Sequence, residues 1–246
     1  MRPGLRVFLG VALAMALIFP AVLVTADEQT KTITTRNIAT FDDPTTNGNW
    51  IVQGSKYASA GFPQMQLVKS WPEALYGFNT DNKPLYALGI HGRFDRKSYN
   101  YIEIIPAAKD SSGKLAPSAL PLPGRVQSIN MWIWGANYNF WLDAYIRDYQ
   151  GIDHVLHMGS IMFPGWRNLS ATVSSAIPQS RTYIPRYAGL VLTKLVLWTA
   201  PDEKVDDFYL FVDEINIITD LFESRFDGEQ LADPVTLNNL WQQGTK

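Results

Sequence analysis

Three histidines and a scatter of carboxylates are the groups through which this chain could do metal or acid–base chemistry. Their spacing argues against both. His154 and His157 stand three apart, as in some metal sites, but on a strand residues three apart point to opposite faces and cannot easily share one ion. The chain has no cysteine to complete a zinc set, and the histidines read as partly exposed strand residues. No serine lies in a Gly-x-Ser-x-Gly elbow, and no glycine-rich loop opens a helix to hold phosphate. Glu103 and Asp143 could in principle pair for glycoside hydrolysis, which needs a defined separation that chain spacing does not supply. Most other acids lie in turns or alternate with apolar residues, as solvated strand faces do. Asp213, within Phe211-Val-Asp-Glu-Ile215, reads as a residue that orients backbone. We therefore expect no enzyme, with no catalytic residue, metal or cofactor.

Aromatic surface is what the chain holds in excess, with eight Trp in all. It concentrates in Ser128–Asp148, where two alternating runs are joined by a short turn. In the first run Ile129, Met131 and Ile133 share one face, while Asn130, Trp132 and Trp134 share the other. In the second run Phe140, Leu142, Ala144 and Ile146 oppose Trp141, Asp143, Tyr145 and Arg147. Period-two alternation marks strands, and the short connection predicts an antiparallel hairpin. Outward residues of a hairpin are near neighbours, so Trp132, Trp134, Trp141, Tyr145 and Arg147 should form one patch. Rings of this kind bury roughly 150–250 Å² each, more together than a monomer usually leaves in water. Three covers fit. The loop or tail of the same chain could lie over the patch, a protein partner could dock there, or a sugar could stack on it.

The elements that must position this patch are short strands. Asn37–Phe41, Trp50–Gln53, Met65–Lys69, Leu85–Ile90 and Tyr99–Ile105 come first, with Pro106 closing the last. An irregular segment rich in proline follows, over 107–124. His154–Met158, Gly165–Val173, Thr193–Ala200 and Asp207–Ile218 come after the aromatic runs. Turns at about ten-residue intervals, without a convincing amphipathic helix before residue 220, predict an all-β fold. We expect an antiparallel β-sandwich of jelly-roll type over 27–222, carrying 107–124 as a long loop. Residues 223–246 form a partly helical or extended C-terminal appendage.

The first 26 residues read as a secretory signal peptide. Arg2 and Arg6 precede an apolar run from Val7 to Val24, and Val24-Thr25-Ala26 is a small-residue cleavage site with Ala26 last. Removing that segment leaves 19 basic against 23 acidic residues, a formal charge of −4. Such a balance gives no reason to expect nucleic acid as a partner, and cleavage leaves no stable membrane insertion. Without disulfides, stability rests on a conventional core, for which 46% hydrophobic content is ample.

Five segments in order resemble the spirochaete flagellar filament outer layer (sheath) protein A family. They are Phe94-Asp-Arg-Lys-Ser-Tyr-Asn-Tyr-Ile-Glu-Ile-Ile-Pro106, Ser128-Ile-Asn-Met-Trp-Ile-Trp-Gly-Ala-Asn-Tyr138, Tyr145-Ile-Arg-Asp-Tyr-Gln-Gly151, Met162-Phe-Pro-Gly-Trp-Arg-Asn168 and Phe211-Val-Asp-Glu-Ile-Asn-Ile217. The resemblance implies an exported, non-catalytic protein that coats a flagellin core in the periplasm and affects filament shape and motility. Its partners would be core flagellin, other sheath proteins and further copies of itself. The contact residues expected on this reading are Trp132, Trp134, Trp141, Tyr145 and Arg147. The alternative is a secreted carbohydrate-binding jelly-roll module, with Asn130, Asp143 and Arg147 supplying hydrogen bonds beside the rings.

Overall fold

The computed structural model describes residues 33–43, 49–78, 84–179, 189–220, 231 and 233–243. The signal-peptide reading of residues 1–26, with cleavage at Ala26, lies outside the described residues. In chain order the strands are β1 (Ile33–Ala39), β2 (Trp50–Gly54), β3 (Gln64–Val68), β4 (Ala87–Gly92), β5 (Tyr101–Lys109), β6 (Leu115–Pro117) and β7 (Leu120–Leu122). They continue as β8 (Arg125–Ala136), β9 (Phe140–Arg147), β10 (Asp153–Ser160), β11 (Pro164–Thr172), β12 (Leu190–Thr199) and β13 (Phe208–Asp220). Two short helices, α1 (Glu73–Tyr76) and α2 (Pro234–Gln243), complete the described elements.

All strand pairs are antiparallel, and they make the two sheets of a jelly-roll-like sandwich. One sheet runs β11-β8-β13-β4-β3, with β1 also on β13. The other runs β10-β9-β12-β5-β2, with β6 on β5 and β7 on β12. We call them the first and second sheet. The core is the inward half of each alternation. Ile129, Met131 and Ile133 come from the first sheet and Leu142, Ala144 and Ile146 from the second, all fully buried in one hydrophobic cluster.

That arrangement corrects the expected hairpin. β8 and β9 do not pair; β8 bonds to β11 and β13, and β9 to β10 and β12. Between Ala136 and Phe140 the chain crosses from one sheet to the other. Asn137 takes a left-handed φ of 63° there, and its N–H donates to the Phe163 carbonyl at 3.1 Å. Gly135 packs so closely that a Cβ would lie 2.5 Å from the Phe163 carbonyl oxygen and 2.6 Å from that of Ile161. The aliphatic faces of the two runs therefore look at each other across the core. In a hairpin they would lie side by side in one sheet.

Two further expectations change. β5 does not close at Pro106 but runs on to Lys109. Its β12 partners end at Ile104, so the proline stands where one side of the ladder asks for no N–H donor. Segment 107–124 is not irregular throughout. β5 turns back through Asp110, whose Oδ1 accepts from the N–H groups of Ser112 and Lys114, into β6, and β7 adds to β12. In the C-terminal appendage, Pro234–Gln243 forms α2. Asp233 caps α2 by accepting from the Thr236 N–H at 2.9 Å.

Candidate functional surfaces

The crossing of β8 into β9 divides the expected patch. Trp132 and Trp134 lie on the outer face of the first sheet, whereas Trp141, Tyr145 and Arg147 lie on the outer face of the second. The five residues are not one surface. Asn130, Asp143 and Arg147 likewise cannot act together on one sugar, since Asn130 is buried in the first sheet against Asn216.

On the first sheet an aromatic row follows the strand register. Trp166 of β11 faces Trp134 of β8, which faces Phe211 of β13. The Trp134 and Phe211 rings meet edge-on with centroids 5.3 Å apart. Next comes Gly89 of β4, then Gln66 of β3. One step along, Tyr209, His91 and Gln64 form a second row. At Gly89, which has no side chain, the sheet surface dips into a hollow of about 450 Å³, lined by Phe211, Gly89 and Gln66 of the first row, by the whole second row, and by Met65, Val68 and Ile90.

The second sheet carries its own row. Trp141 of β9 faces Trp198 of β12, which faces Tyr101 of β5. The two indoles are parallel within 13°, with centroids 6.3 Å apart, and Tyr101 lies 5.2 Å from Trp198. Tyr99 adds an exposed ring edge-on to Trp141. The Trp198 Nε1 at the centre is shut off from solvent. Beside this ladder Tyr145 packs under the Lys194 ammonium, 4.9 Å from its ring centre. Arg147 grips Asp153 through two hydrogen bonds of 2.8 and 3.1 Å. The ladder partners Trp198 and Tyr101 were missed by sequence reasoning. Alternation puts each on an outward face, but only the pairing shows that they meet Trp141.

The groups considered for chemistry are spoken for separately. His154 lies 2.8 Å from the Asp148 carboxylate and His157 2.8 Å from that of Asp143. The pair thus points to opposite faces, as strand alternation requires. Glu103 bonds Lys194, and Val196 stands between it and Asp143 in the register.

Asp213 does orient backbone, accepting from the Glu214 N–H at 2.8 Å. It also belongs to a carboxylate cluster that spacing did not reveal. β13 bulges at Asp213–Asn216, where β4 leaves its flank and β1 takes over. Glu214 has a left-handed φ of 49° there and accepts from the Tyr76 hydroxyl. Asp42, just past β1, accepts from the Tyr86 N–H at 3.0 Å. Burial raises all three carboxyls. For Asp213, burial outweighs the Glu214 N–H bond and combines with the neighbouring charges of Glu214 and Asp42 to push it up to about 8.

A family model described as flagellar filament outer layer protein FlaA matches residues 79–227, more than half of the chain. The chain belongs to the FlaA family. A protein of Brachyspira hyodysenteriae (strain ATCC 49526 / WA1), described as flagellar filament outer layer-like, is 21% identical over 144 residues, which are 58% of this FlaA chain and 62% of that protein. The chain thus spans less than two thirds of that relative. Among solved structures, a carbohydrate-binding module of the β-sandwich superfamily is similar at a TM-score of 0.45 and 13% identity, covering 73% of this chain and 60% of the other. The family 11 carbohydrate-binding module of Clostridium thermocellum Lic26A-Cel5E is similar at 0.43 and 10%, covering 78% and 99%. The FlaA match includes β8 to β13 and so both aromatic rows. It begins after β3, the strand that carries Gln64 and Gln66.

Proposed function

We propose that this FlaA-family chain is an exported structural subunit of the flagellar filament outer layer, coating a flagellin core in the periplasm. The observation that carries the proposal is the family match together with an aromatic row on each side of one sandwich. Large rings in partly buried rows are the usual energetic anchors of protein interfaces. A subunit with such a row on both faces can be held on one side by the core and on the other by sheath proteins or copies of itself. Its work is mechanical rather than catalytic: contacts distributed unevenly around a filament add stiffness and impose curvature. Export rests on the basic, apolar and small-residue pattern of residues 1–26.

The test is to isolate flagellar filaments from the source cells and sequence the N-terminus of the protein they carry. Co-purification of a chain beginning at Asp27 is expected. Recovery solely in fractions free of filaments would remove the proposal.

A further inference from the structure

We propose that the hollow over Gly89 is a binding site for one neutral sugar ring of a glycan. Its walls are set before any ligand arrives. The His91 and Tyr209 rings are stacked with centroids 4.2 Å apart, and Phe62 meets His91 edge-on at 4.9 Å. Phe211 is braced by Trp134. His91 Nε2 lies 2.6 Å from Asp207 Oδ1, which fixes the imidazole from behind.

Glycine keeps the floor open, since a Cβ on Gly89 would crowd the Phe211 ring at 3.1 Å and Val68 Cγ1 at 3.2 Å. The volume of about 450 Å³ falls within the range of small-molecule sites, roughly 300–1,000 Å³.

The polar groups of the hollow select the ligand class. Gln64 and Gln66 are exposed at the rim, and among the described residues neither side-chain amide has a hydrogen-bond partner; nor has the Tyr209 hydroxyl. Amides and phenols both donate and accept, as sugar hydroxyls do, while the Phe211 and Tyr209 rings offer apolar surface to the C–H face of a pyranose. The lining holds no lysine, arginine or carboxylate, so an anionic ligand finds no counter-charge. An aliphatic chain would leave three polar groups unmatched. Gln64 and Gln66 come from outside the FlaA match, and the site stands or falls independently of the filament assignment.

Calorimetric titration of the mature chain with neutral tetrasaccharides of glucose, xylose, mannose and galactose tests the proposal, with tetragalacturonate as the charged control. At least one neutral sugar should bind. Gln66→Ala and Tyr209→Ala should each weaken it about 10-fold, or 1.4 kcal/mol, with unchanged thermal unfolding. Trp141→Ala, on the opposite face, should leave it intact. The proposal is overturned if no neutral sugar binds or if only the charged one does. It is also overturned if affinity survives both first-sheet variants, or if it is lost in Trp141→Ala.

Discussion

At the scale of single residues, the carboxylates divide into two groups with opposite pH behaviour. Asp148 sits in the turn from β9 to β10, where its Oδ1 accepts from the N–H groups of Gln150 and Ile152 and its Oδ2 meets His154. Burial pushes this carboxyl up, but those partners more than offset burial and hold it below the ordinary value. The Arg147-Asp-x-x-Gly151 pattern is thus a turn: Asp148 ties the backbone and Gly151 supplies a φ of 87°. The stability contributed by Asp148 is present above the ordinary carboxylate range and is lost as pH falls through its folded value. Asp213 does the reverse. Between the ordinary 3.8 and about 8 the folded chain keeps a proton that the unfolded chain has released, so stability declines as pH rises through that window. Asp213→Asn keeps the acceptor for the Glu214 N–H and removes the charge. Urea unfolding should show the variant gaining on the wild type as pH rises from about 4 to about 8, and no further above that; parallel pH curves would refute the account. The role of Asp213 in orienting backbone was legible in sequence. Its neighbours Asp42 and Tyr76 were not, because only folding brings them to the bulge.

At the scale of elements, the faces of β8 and β9 were legible and the pairing of these two strands was not. Ile129, Met131 and Ile133 and then Phe140, Leu142, Ala144 and Ile146 point inward just as alternation requires. A hairpin and a crossing between sheets produce the same alternation, so period two could not separate them. What separates them is the local geometry at Gly135 and Asn137, which depends on residues 161–163. Gly135→Ala forces a methyl against two backbone oxygens and should cost roughly 1–3 kcal/mol, as overpacking does; an unchanged urea midpoint would show that the crossing is not held there. The split also separates Trp134 from Trp141. Their alanine variants share no partner ring, so their effects on stability should add within about 0.5 kcal/mol. Filament incorporation of each single variant then identifies the face in use. If neither variant changes incorporation, the aromatic rows are not the contacts.

At the scale of the whole molecule, the sandwich class was readable from short alternating segments between regularly spaced turns, and FlaA membership from the resemblance of five segments in order. The hollow over Gly89 was not, because it needs β3, β4 and β13 side by side, and their pairing is invisible to spacing. The crossing between Ala136 and Phe140 also has a consequence for load. Trp134 and Trp141 are only seven residues apart along the backbone, yet they face outward from opposite sheets. A pull applied at one face reaches the other along the chain itself, without first shearing the packed interior. Stacked sheets keep a spacing of about 10 Å, so a subunit tied through in this way acts as a strut of fixed thickness, setting a constant gap between whatever lies on its two sides.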